Sequence, residues 1–124
     1  MKNKYACIMA GIFLITMIAS AVTNYIYVKN TAEKVFQGFD SLPEDLEECT
    51  IILQDIFDFW EDRRKFLDLT LSKPELETVS GLFEEAIIAA SHNSDSDYKT
   101  AMARLRRAIE DIKDLERISA EIVF

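Results

Sequence analysis

Residues 5–28, YACIMAGIFLITMIASAVTNYIYV, carry no charged side chain, and Lys2, Lys4 and Lys29 bracket them. A stretch of this length and polarity has few stable destinations. As an α-helix it extends about 36 Å, enough to cross a hydrocarbon layer of about 30 Å with room to tilt. Lys2, Lys4 and the terminal amine predict a cytoplasmic N-terminus, which sends everything after Lys29 to the other side. Tyr5 at one end, and Tyr25 and Tyr27 at the other, suit the two interfaces, where amphipathic rings are favoured. The rival destination is a cleaved secretory signal. Ala19-Ser20-Ala21 has the small-residue spacing of a cleavage site, and residues 6–18 have the length of a signal core. Apolar character continues past that site through Val22, Tyr25, Ile26, Tyr27 and Val28, which favours a retained anchor. Either way, the rest of the chain is expected outside the cytoplasm.

That remainder, residues 29–124, is long enough for one small domain and too short for two. Only 3 Gly and 2 Pro occur in 124 residues, a usage that favours helices. All 22 acidic residues lie after position 28, against 12 of the 14 Lys and Arg, so the domain carries a net charge of 12 − 22 = −10. Such a domain repels polyphosphate backbones, which argues against nucleic acid as a partner. The two cysteines, Cys7 and Cys49, are separated by the whole anchor boundary and provide no disulfide framework. Cys49 falls on an apolar helical face, as a small core residue does.

The helical pattern continues beyond the anchor, with Ala32, Val35, Phe36 and Phe39 at three- and four-residue steps to about Gly38. "FDSLPEDLE" then marks a break. Pro43 opens the next helix, with Ser41 and Glu44 read as a capping box. From there to Leu71 the stripe Leu46, Cys49, Leu53, Ile56, Trp60 and Leu67 faces a core, widened by Phe57, Phe59 and Phe66. "LSKPELE" repeats the device, with Ser72 as cap, Pro74 in the first turn and Glu75 closing the box. A helix over 74–91 follows, lined by Leu76, Val79, Phe83, Ile87 and Ala90. The polar loop "HNSDSD" leads into a last helix over 97–122, capped by Asp95 or Ser96 and lined by Tyr98, Met102, Leu105, Ile109 and Ile112.

Candidate chemistry is sparse. His92 is the sole histidine and sits at a helix C-terminus, where an imidazolium interacts with the dipole. It has no second His or exposed Cys with which to build a metal or catalytic constellation. Asp95, Ser96 and Asp97 resemble the start of a calcium loop, yet the glycine of the turn is missing and the chain passes straight into a helix. Arg104, Arg106 and Arg107 are spaced for surface pairs, Arg106 with Glu110 and Arg107 with Asp111. Glu84-Glu85 and Glu47-Glu48 are sequence neighbours that point apart, so they do not form an acid/base pair. No nucleophile elbow, phosphate loop, HExxH or CxxC motif occurs. These observations predict a non-enzymatic protein without a cofactor or metal.

Trp60 lies within "FDFWEDRRKF", where Arg64, one turn on, is placed to stack on its ring. Phe59 lies off the core stripe. With Arg63, Arg64 and Phe66 it forms the candidate surface for contact with a partner.

The order of these segments resembles a small bacterial membrane-anchored family catalogued as domain of unknown function 4363. The resemblance rests on "FWEDRRKFLDLTL", on "PELETVSGLFEEA" and on "YKTAMARLRRAIEDIKDLERISAEIVF", and it covers essentially the whole chain. Ile122 stands where the family's finish has Asn, and Lys73 where members often carry His. The resemblance implies the membrane-anchored helical topology and a small integral membrane protein as associate, and it leaves activity open.

The expectation is therefore an all-α protein: residues 1–4 cytoplasmic, 5–28 a transmembrane anchor in contact with lipid, 29–42 a helical extension and connector, and 43–124 an extracytoplasmic, antiparallel three-helix bundle. Its expected role is as an accessory or scaffold domain that binds another envelope or membrane protein through Phe59, Arg63, Arg64 and Phe66. The alternative is a secreted helical binding or sensor domain released after Ala21.

Overall fold

Four helices make up the computed structural model, which describes residues 2–68 and 73–123. They are α1 (Lys2–Asp40), α2 (Leu46–Leu67), α3 (Lys73–Ser91) and α4 (Asp95–Val123). Among the described residues there is no strand, so the chain is all-α as expected.

The apolar stretch and the extension expected after it form one helix, and the halves of that helix have different surroundings. Tyr5, Ile8, Met9, Ile12, Phe13, Leu14, Ile15 and Met17 are all exposed. α1 is the one described helix long and apolar enough to cross a membrane, and none of its apolar window is buried. Eleven residues after Met17, the same helix turns inward: Val28, Ala32, Val35 and Phe39 are buried in the core shared by α2, α3 and α4. The segment expected to be a helical extension and connector, with Val28 at the end of the expected span, thus supplies one side of the core. The reason is its three- and four-residue apolar spacing, which presents one continuous stripe.

Phe83 occupies the centre and is fully buried. Its ring stacks on Phe57 at 5.3 Å between centroids and meets Phe39 at 5.9 Å and Trp60 at 6.3 Å. Burying a side chain of this size contributes about 1.5–3 kcal/mol, and the offset ring contacts add to that. Around it lie Leu53, Leu67, Leu76, Val79, Leu105 and Ile109, all nearly or wholly excluded from solvent. Every residue of the sequence-derived stripes is buried except Phe36, Ile56, Ile87 and Tyr98, which are half-buried at the core's edge.

Helix ends follow local chemistry, with corrections to the expected caps. α1 stops at Asp40, where the Ser41 hydroxyl donates to Gly38 O (2.7 Å). Ser41 therefore closes α1 and does not open α2. The α2 N-cap is Asp45, whose carboxylate accepts from Glu47 N at 3.0 Å. Both residue types cap well, and the α2 cap falls four residues later than expected, beyond Pro43. α2 ends at Leu67, before the expected Leu71; the Ser72 cap lies outside the described residues. At the far end of α3, Asn93 takes a left-handed conformation (φ 57°). Asn93 N donates to Ala90 O, and Ser94 N to Ala89 O, which makes a Schellman closure with Asn in the position glycine usually fills. α4 then begins at Asp95, and the Ser94 hydroxyl donates to the Asp97 carboxylate at 3.0 Å. The expected cap at Asp95 or Ser96 is thus one or two positions too late.

Candidate functional site

α2 presents two different faces within one turn, and the four candidate contact residues divide between them. Phe59, Arg63 and Phe66 look toward α1. The Arg63 guanidinium lies over the Phe59 ring at 5.1 Å and over the Tyr27 ring at 5.5 Å. The Tyr27 ring meets Phe66 at 4.6 Å, tilted by 48°. Lys34, two turns along α1, adds a second cation 6.0 Å above Phe59. The result is a partly open sandwich of three rings and two cations. Phe66 remains 46% exposed within it, so part of one aromatic ring is available beside the Arg63 guanidinium.

Arg64 is not part of that cluster. It turns toward α3 and donates to Ser80 Oγ at 2.9 Å, with Glu61 at 3.5 Å and Asp68 at 3.7 Å. Trp60 Nε1 donates to the same Ser80 oxygen at 3.2 Å, and Ser80 donates onward to Glu61 Oε1 at 2.6 Å. A hydroxyl has one donor and two acceptor positions, and Ser80 uses all three. Trp60 fills the core, as its place on the apolar stripe indicates, and Arg64 meets it through this shared acceptor. The network ties α2 to α3 and lets a buried polar residue sit in the core without an orphaned group.

Beside Phe59 the surface continues as a shallow groove of about 300 Å³ lined by Lys34, Gly38, Ser41, Ile52, Asp55 and Ile56. Gly38 permits this close approach of α1 and α2, because a Cβ there would meet Ile56 Cδ1 at 2.9 Å. Tyr27 was legible in sequence only as an interfacial aromatic. Its role in the cluster depends on α1 continuing into the core, which brings it alongside the last turn of α2.

The remaining polar residues are ordinary. His92 follows the last turn of α3, where its amide donates to Ile88 O. Asp95 pairs with Lys99 at 3.1 Å on the helix surface. Among the described residues, no three His, Cys, Asp or Glu side chains converge as a metal site. Cys7 is exposed and Cys49 buried. Cys49 donates to Pro43 O (2.8 Å) and accepts from the Tyr98 hydroxyl (3.6 Å). Burial, and then that bond to Cys49, push the Tyr98 phenol above its ordinary range. Comparison with protein families, with curated proteins and with solved structures found no match.

Proposed function

We propose that the chain is a single-pass membrane protein whose N-terminus is cytoplasmic and whose acidic helical domain stands on the outer face. There it binds another membrane or envelope protein without catalysing a reaction. The observation that carries this reading is the continuity of α1: an apolar half exposed on all sides runs without a break into a half buried in the domain core. A helix in lipid satisfies its own backbone groups, and this one would fix the domain rigidly at the surface. In this reading α2, α3 and α4 pack as an antiparallel bundle, with the second half of α1 as a fourth member. The supporting pairs are Tyr27 with Phe66, Asn24 with Glu116, and Asp40 with Arg106. The resemblance to the family of unknown function 4363 agrees with the same topology.

The partner surface is the Tyr27–Phe59–Arg63–Phe66 cluster. Phe66 is exposed beside the half-buried Tyr27 and Phe59 and the Arg63 guanidinium, and aromatic and Arg side chains are what protein interfaces use as anchors. A photo-crosslinking residue at Phe66 should capture one discrete membrane protein in intact cells, and one at Ile51, on the remote end of α2, should not. Phe59→Ala, Arg63→Ala and Phe66→Ala should each weaken that capture while leaving helicity unchanged. Equal capture from all variants rejects the surface. Arg64→Ala is a separate case, because it breaks the Ser80 network.

The released form has one observation in its favour: Val28, Ala32, Val35 and Phe39 all follow Ala21, so cleavage there would spare the core. N-terminal sequencing of the mature protein separates the two readings, since release predicts a start at Val22.

A further inference from the structure

α4 is longer than the helices it packs against, and the excess falls at the end nearest the anchor. It has 29 residues and α3 has 19. The two are joined by the tight Asn93 turn, so they start level and α4 outruns α3 by about 15 Å at a rise of 1.5 Å per residue. The direction of the overhang is fixed by one hydrogen bond: Asn24 Nδ2 donates to Glu116 Oε2 at 2.7 Å. From Glu116 the helix continues to Val123, about 10 Å further, beside the part of α1 that precedes Asn24. That part is the exposed apolar stretch.

The apolar stripe of α4 does not stop where its partners stop. Ile112 is buried, and Leu115 and Ile118 continue its edge at three-residue steps while 48% and 46% exposed. They floor a groove of about 450 Å³ with Ala108, Ile112 and Thr78, rimmed by Glu75, Asp111 and Asp114. On the same level stand Phe66, and Ile26, which is 50% exposed. The polar edge of the overhang carries both signs, with Arg117 paired to Asp114 at 3.9 Å, and just before it Lys113 pairs with Glu110 at 3.8 Å. The overhang is net acidic, with Asp114, Glu116 and Glu121 against Arg117, which suits a zwitterionic headgroup layer better than a strongly anionic one.

The geometry points to the last turns of α4 as a second lipid-contacting element, seated in the outer headgroup layer beside α1 with Leu115 and Ile118 against the acyl boundary. The occupant of this apolar edge is the surface of the bilayer that α1 crosses, so the inference rests on the membrane reading above. Two helices entering at different depths restrict tilting of the domain, so that Phe66 and Arg63 are held at a fixed height above the membrane.

The test places single tryptophans in full-length protein carrying Trp60→Phe, reconstituted in phosphatidylcholine vesicles with and without bromine on the upper acyl carbons. Phe13→Trp reports the anchor, Ile118→Trp and Leu115→Trp report the overhang, and Ile51→Trp reports the remote end. Circular dichroism checks each fold, and Leu115→Trp serves if Ile118→Trp does not fold. The expected result is loss of emission at Phe13→Trp and at the overhang positions, with Ile51→Trp unaffected. Quenching at Phe13→Trp alone overturns the inference and leaves the anchor standing. A bright Phe13→Trp removes the anchor reading, and the inference with it.

Discussion

Asn24 and Glu116 are 92 residues apart in sequence and 2.7 Å apart in space, Nδ2 to Oε2. They join the helix that carries the apolar stretch to the helix that completes the domain. Burial raises the Glu116 pKa above its ordinary value, a nearby Glu75 raises it further, and the bond from Asn24 opposes both. A raised acid pKa means that the folded state prefers the protonated form. Its stabilising contribution is complete below the unfolded Glu pKa of about 4.3 and is lost as pH rises through the higher folded value. Glu116→Gln should therefore be at least as stable as the parent at neutral pH and should flatten this part of the pH profile. Gln keeps an acceptor for Asn24 and offers an N–H toward Asn24 Oδ1, which is buried without a partner among the described residues. Urea unfolding in detergent from pH 4 to 8 measures both effects. A loss of stability at neutral pH would show that the charge itself is favourable.

Ser80 is the shared hydroxyl between α2 and α3. Ser80→Ala leaves the buried Trp60 N–H without its acceptor and frees Arg64 and Glu61 from α3. The expected cost is about 1–3 kcal/mol, the desolvation penalty of an orphaned group. Adding Trp60→Phe should then cost less than it does in the parent, which a double-mutant cycle by chemical denaturation will reveal.

Phe83 touches rings from α1 and α2 from its place on α3. Phe83→Ala should cost about 3–5 kcal/mol, because both the transfer energy and a cavity are involved. The thermal midpoint is the readout, and a shift no larger than that of an exposed site would exclude a shared core.

Gly81 lies on the exposed face of α3, and a Cβ there meets nothing within 4 Å. Gly81→Ala should stabilise by up to about 1 kcal/mol through helix propensity alone. The same denaturation assay reports it.

Much of the architecture was legible because helical periodicity is a local property. Leu46, Cys49, Leu53, Trp60 and Leu67 announce a buried stripe by spacing, and all five are buried. The caps were harder to read. Ser41 and Asp45 are both good capping residues four positions apart, and the backbone around Pro43 decides between them. The Ser80 network was illegible for a different reason. Its partners lie 16 to 20 residues away, and only packing of α2 on α3 joins them. A polar residue four positions after Leu76 and three before Phe83 was the available signal. Likewise, the separation of Arg64 from Phe59, Arg63 and Phe66 depends on which side of α2 meets α3. The part played by Val28 and Val35 in the core depends on α1 continuing unbroken past Lys29, which the apolar spacing indicated and charge alone did not.

The central claim is that one helix spans the membrane and then enters an extracytoplasmic core. Single-cysteine labelling with a membrane-impermeant maleimide tests it most directly, using protein with Cys7→Ser and Cys49→Ala. Ser96→Cys, at the start of α4, should react in intact spheroplasts, Asn3→Cys only after lysis, and Phe13→Cys in neither state without detergent. Reaction of Asn3→Cys in intact spheroplasts with Ser96→Cys protected, or ready labelling of Phe13→Cys in water, would contradict the account.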